Sequence, residues 1–145
     1  PDALGHTDYF IVSGDDDDYA GKTLCIPAGT YRALSLLQVH GRPGSPVIIT
    51  NCGGPVVFDG RGWNTIGGKG CRHIRLTGSS SAGGGGGSTY GIVATNSVAH
   101  GVHFDEGCSD IEVDHIETHT NGYAGIVIRT YPRCGGNCSY NEEMG

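Results

Sequence analysis

Two segments of this chain, Gly70-Cys71-Arg72-His73-Ile74-Arg75-Leu76-Thr77 and Gly107-Cys108-Ser109-Asp110-Ile111-Glu112-Val113-Asp114, share the pattern Gly-Cys-x-x-Ile-x-aliphatic. Their charges differ, but Cys, Ile and Leu or Val keep the same offsets. Alternate residues of a strand face one side, so what repeats is an inward row of side chains rather than a surface chemistry. A weaker copy, Gly44-Ser45-Pro46-Val47-Ile48-Ile49-Thr50, carries serine for cysteine, and its Ile48 precedes Ile74 by 26 residues. Ile74 and Ile111 are 37 residues apart, a step that contains the ten-residue Ser/Ala/Gly run 79–88; without that run the step is 27. Gly101-Val102-His103-Phe104 and Gly125-Ile126-Val127-Ile128 repeat after 24 residues. Two strands recurring at about one step describe a solenoid, in which each strand pairs in parallel with its copy one coil on, about 4.8 Å away.

The rest of the sequence agrees. The chain has 145 residues, one domain's worth, with 27 glycines and only 17% charged residues. No apolar 3.6-residue pattern runs ten residues without a glycine, whereas short β-branched runs bounded by Gly, Asn and Pro recur. The expectation is an all-β fold of roughly four coils over residues 22–133, with an entry or cap segment over 1–21 and a tail over 134–145. Within the coils, strands are expected at 22–26, 34–39, 72–77, 90–95, 101–105, 110–115 and 123–130, with Pro27 and Gly29 stopping the first. Tyr9 to Val12 reads as a short strand able to cap the amino end; the carboxyl end shows no cap beyond a small disulfide loop. The run 79–88 reads as a flexible insertion without chemistry.

A net charge of −6 argues against nucleic acid or an anionic membrane as partner, because phosphate binding needs clustered Lys and Arg. No apolar run reaches the length of a membrane span. The opening Pro1-Asp2-Ala3 reads as a processed or trimmed start. Six cysteines without paired metal-finger spacings point to disulfides and an oxidising, extracellular compartment. Cys25 and Cys52 are 27 residues apart, one coil step, and Cys71 and Cys108 occupy equivalent repeat positions. These are the first pairs to expect, leaving Cys134 with Cys138, a connectivity that is one of about fifteen.

Ile26-Pro27-Ala28-Gly29-Thr30-Tyr31, followed by Pro46-Val47-Ile48-Ile49-Thr50-Asn51 and Val56-Val57-Phe58-Asp59-Gly60, resembles the opening coils of secreted right-handed parallel β-helix proteins of the pectin-lyase-like kind. The resemblance implies a right-handed parallel β-helix. It leaves the activity open, since lyases, hydrolases, epimerases and non-catalytic surface proteins share the architecture.

Candidate chemistry is sparse. Arg129 and Arg133 resemble, in kind, the arginines with which β-helix lyases neutralise a uronate and abstract its C5 proton, although the proline between them is placed differently. Glu112 and Asp114 share a strand face near the separation that two glycosidase carboxylates need, and they also fit an ordinary half-exposed strand. His100, His103, His115 and His119 lack a further carboxylate or cysteine at ligand spacing, so they read as surface histidines rather than a metal site. The aspartate run 15–18 reads as a solvated loop, with Ca²⁺ the one cofactor to consider. Trp63 suits either stacking on a sugar ring or plugging the core. The expected role is therefore a secreted structural or adhesive module, associating with itself through its coil ends or continued by missing chain, and contacting polysaccharide. The alternative is the amino-terminal part of a polysaccharide lyase or glycoside hydrolase.

Overall fold

A computed structural model describes residues 7–14, 19–78 and 90–129. It contains ten strands: β1 (Thr7–Ser13), β2 (Thr23–Leu37), β3 (Val47–Asp59), β4 (Asn64–Lys69), β5 (Arg72–Thr77), β6 (Ile92–Thr95), β7 (His100–Asp105), β8 (Ser109–Asp114), β9 (Ile116–His119) and β10 (Ala124–Ile128). The described residues contain no helix, and every pairing between these strands is parallel. The sheet nearly closes on itself in a solenoid-like shape.

The register resolves into three ladders. In the first, Leu34 of β2, Ile66 of β4, Val102 of β7 and Ile126 of β10 lie side by side, and β1 adds a strand beyond β2. In the second, Leu24 of β2 aligns with Ile49 of β3, Leu76 of β5 and Val113 of β8. In the third, Thr30, Val57 of β3, Val93 of β6 and Glu117 of β9 align. The chain visits the second, third and first ladders in turn, completing four coils between β2 and β10. Inward residues stack on their own kind: Leu34, Ile66 and Val102 form one fully buried column, Ile49 and Leu76 another. Each buried side chain is covered by its neighbours one coil away and by the inward residues of the other ladders, which removes its apolar area from water.

The repeat that organised the sequence is in register, with Ile74 opposite Ile111 and Leu76 opposite Val113. Its third copy is one residue off. Val47, not Ile48, lies opposite Ile74, and Ile48 faces outward beside Arg75. Three consecutive β-branched residues carry no alternation, so the sequence there left the face undetermined. The coil also holds three strands where two were expected. The segment 61–70, where no strand was expected, contains β4, and β9 follows β8 after the single corner residue His115 at φ 51°. Within β4, Gly68 lies in the ladder opposite Phe104, whose ring fills the glycine's side-chain position, 2.3 Å from where a Cβ would stand. Pro27 and Gly29 do not stop β2; the ladder steps its register between them and continues.

Cys25 and Cys52 are disulfide-bonded across adjacent coils, with Cα atoms 5.6 Å apart. The expected bond between Cys71 and Cys108 is absent. Both are buried free thiols, stacked so that the Cys71 N–H donates to the Cys108 sulfur at 3.3 Å. Each sulfur turns instead to a backbone carbonyl, Cys71 to Leu36 and Lys69, Cys108 to Gly68. Hydrogen bonding to Cys108, with burial, pushes the Cys71 thiol up, so it stays protonated. Cys134, Cys138 and Arg133, the run 79–88 and the aspartates 15–18 lie outside the described residues. Ile126 and Ile128 are each 44% exposed although their partners Val102 and Phe104 are fully buried. β1, the strand expected to cap the amino end, extends the first ladder alongside residues 31–37.

The close approach at Gly68 gives a direct test. Gly68→Ala should destabilise the fold by about 1–3 kcal/mol in urea unfolding, as overpacking does. Adding Phe104→Leu should recover part of that loss, whereas Phe104→Leu alone should destabilise.

Candidate functional site

The outer side of the first ladder gathers the side chains best placed to meet a ligand. Gly62-Trp63 and Gly122-Tyr123 occupy the same corner two coils apart, with Ala99 between them. The Ala99 N–H donates to the Trp63 carbonyl, and the Tyr123 N–H to that of Ala99. Because Ala99 is small and fully buried, the rings on either side lean together, edge to face at 6.2 Å between centroids. Both stand in solvent, Trp63 63% and Tyr123 73% exposed. Val98, beside Ala99 in sequence, is exposed as well. The core-plug reading of Trp63 is therefore corrected: the core is filled without it, by Ile66, Val102 and Phe104.

One position inward along the ladder, Asn64 and His100 are in register, and His103 follows on β7. The His100 and His103 rings are 5.0 Å apart, and His100 lies 6.0 Å from Tyr123. They share the outer side because Gly101 and Val102 between them both turn inward. Asn64 Nδ2 donates to His103 Nδ1 at 3.1 Å, leaving the ring proton on Nε2, 3.5 Å from Asp105 Oδ2. Burial pushes the His103 pKa down; Asp105 opposes this, while His100, Arg129 and Lys69 add to it, so the ring is neutral at pH 7. Asn64 Oδ1, His100 Nδ1 and His103 Nε2 are buried without hydrogen-bond partners. Tyr123 and Asn64 were not singled out from the sequence; the recurring Gly-aromatic dipeptide at an interval of two coils was the available signal.

The other candidates sit elsewhere. Glu112 and Asp114 lie on the second ladder, bridged by Arg75 at 3.4 and 2.9 Å. Burial raises the Asp114 carboxyl, but hydrogen bonds from Thr77, His115 and Arg75, with the arginine's charge, outweigh it and hold the group at about 2. A glycosidase pair needs one carboxyl that keeps its proton near neutral pH, and Asp114 is driven the opposite way. Arg129 follows β10 on the first ladder, exposed, its N–H bonded to the Phe104 carbonyl. His115 rests on Asp114 and His119 on Thr95, so the four histidines are divided between ladders. Among the described residues no three His, Cys, Asp or Glu side chains are grouped to hold a metal ion. A cleft of about 450 Å³ opens at another corner, between Gln38, His40, Arg72, Glu106 and Ser109.

The Asp114 network makes acid stability testable. Its pKa lies below the unfolded value of 3.8, so its contribution is complete above about pH 4 and is lost as pH falls toward 2. Asp114→Asn should lower the melting temperature at pH 7 by a few degrees, with the difference from wild type closing at about pH 2. Compared with known proteins, the chain matches no family model, no curated protein and no solved structure, so its function is argued from its own geometry.

Proposed function

We propose that this chain is a secreted, disulfide-braced, right-handed parallel β-helix module of the pectin-lyase-like kind, with an adhesive role, holding polysaccharide against the outer side of its first ladder. The observation that carries this reading is the exposed pair Trp63 and Tyr123, fixed at one corner by the stacking of coils two apart. Two exposed aromatic rings held together at one corner form an apolar platform, and the apolar face of a pyranose is a partner that suits it. The Cys25–Cys52 bond supports an oxidising compartment, and no helix among the described residues is long and apolar enough to cross a membrane. Non-catalytic binding is favoured over hydrolysis because Asp114 is tied to Arg75 as a structural pair.

A second reading, that the coil stack continues, is favoured by the exposure of Ile126 and Ile128. The continuation would be further copies building a filament, or additional coils of a polysaccharide lyase or glycoside hydrolase.

Affinity electrophoresis in gels containing plant and microbial polysaccharides tests the first reading. Wild type should be retarded in at least one gel, and Trp63→Ala or Tyr123→Ala should reduce the retardation about tenfold, roughly 1.4 kcal/mol, with the melting temperature unchanged. Equal retardation of wild type and both variants would overturn it. Concentration-dependent light scattering, abolished by Ile126→Lys, is the outcome expected of a filament.

A further inference from the structure

The same surface carries information about which polysaccharide it suits. Resting on the polysaccharide reading above, we infer that the ligand is a neutral, hydroxyl-rich glycan rather than a uronate polymer, bound jointly by the Trp63–Tyr123 corner and the Asn64–His100–His103 cluster.

Charge is the first ground. A uronate polymer places a carboxylate on each sugar and needs cations free to meet it. Two cations around this surface are already matched. Arg61 is 3.5 Å from Asp59, and Lys69 is 2.9 Å from Glu106. On the outward row that crosses three coils, Lys69, Asp105 and Arg129 are neighbours, so the acid stands between the two bases. Asp105 would face an incoming carboxylate directly. The chain as a whole carries −6, which adds a general repulsion of polyanions.

Hydrogen-bonding capacity is the second ground. Asn64 Oδ1, His100 Nδ1 and His103 Nε2, three buried polar atoms that make no hydrogen bond, fall within this one cluster beside the exposed rings, His103 Nε2 having only the 3.5 Å approach of Asp105 Oδ2. Buried polar groups normally find partners, so an unsatisfied set at a surface corner marks a place where another molecule's donors and acceptors fit. Asn64 Oδ1 is an acceptor and His103 Nε2 a donor, a mixture that suits sugar hydroxyls. Next to them Gly67 leaves the outer row low: a Cβ there would meet nothing nearer than the His103 carbonyl at 3.9 Å. A hydroxyl can therefore approach His103 from the Gly67 side while the sugar ring rests on Trp63.

Isothermal titration calorimetry of the intact chain at pH 7 and low salt tests this, with cellohexaose, xylohexaose, mannohexaose and hexagalacturonate as probes. At least one neutral hexasaccharide should bind, and hexagalacturonate should bind at least tenfold more weakly. Asn64→Ala and His103→Ala should each weaken neutral binding about fivefold or more. His103→Gln, whose amide restores a donor and an acceptor, should recover most of the loss; melting curves confirm that each variant is folded. Preferred binding of hexagalacturonate, lost in Trp63→Ala, would overturn the neutral-glycan inference and leave the polysaccharide reading standing. Neutral binding unaffected by folded Asn64 and His103 variants would also overturn it. If none of the probes and none of the polysaccharide gels retains the wild type, the polysaccharide reading itself fails, and this inference with it.

Discussion

Everything in this molecule depends on parallel register between coils. A side chain on an inward row packs across the shared core against the other ladders and, along its own ladder, against the residue at the same position one coil before and one coil after. Ile74 needs Val47 on one side and Ile111 on the other. The consequence is a strong coupling between sequence repetition and stability: a residue that departs from its column must be accommodated by its neighbours. Gly68 shows how, because the Phe104 ring is larger than the residues in the adjoining column and the coil before it gives up its side chain altogether. Ala99 shows the same rule at a corner, where a small residue in the middle coil lets two large rings meet. The feature proposed to bind ligand is thus produced by the same stacking that builds the core.

That dependence explains what could be read from the sequence and what could not. The second ladder was legible because Gly-Cys-x-x-Ile-x-aliphatic repeats with its apolar residues two apart. The pairing of Cys25 with Cys52 followed from the coil step. The strands β4 and β9 were not legible, because both are short and β9 is bounded by His115 and Thr120, single residues in the left-handed region. Gln38, Arg61, His73, Asn96, Glu106, Asp110, His115 and Thr120 all have positive φ, and half of them, Gln38, Arg61, Glu106 and Thr120, are not of the Asn, Asp or His types enriched there. Glycine would have announced these corners; a glutamine, an arginine or a threonine does not. The run Val47-Ile48-Ile49 failed for the opposite reason, having apolar residues on both faces and so no period to fix which side is in.

The candidate site was harder still. Trp63 stood out by type, but its meaning depended on Tyr123, sixty residues away and brought near only by the number of coils between them. Asn64 looked like a turn residue and proved to be the hydrogen-bond partner of His103. Glu112 and Asp114 looked like a catalytic pair because two acids two residues apart on a strand share a face. What the sequence could not show was Arg75 one coil earlier, lying opposite Glu112 and turning the pair into part of an ionic ladder.

That ladder accounts for the difference in charge between the two copies of the repeat. Outward residues in a parallel stack face their own counterparts at about 4.8 Å, so a repeat copied faithfully would set like charges side by side, which is destabilising. The two copies keep their inward residues and exchange their outward sign. Arg72, His73 and Arg75 in one coil meet Ser109, Asp110 and Glu112 in the next, and His73 comes within 3.7 Å of Asp110. The sign change sets opposite charges side by side across this one pair of coils, whereas the coil before places the uncharged Ile48 and Thr50 beside Arg75 and Thr77. It also sets a condition on any strand that pairs with the edge of β8 that no described strand covers. Its outward row would have to answer Asp110, Glu112 and Asp114, and a second copy of that acidic strand cannot do so.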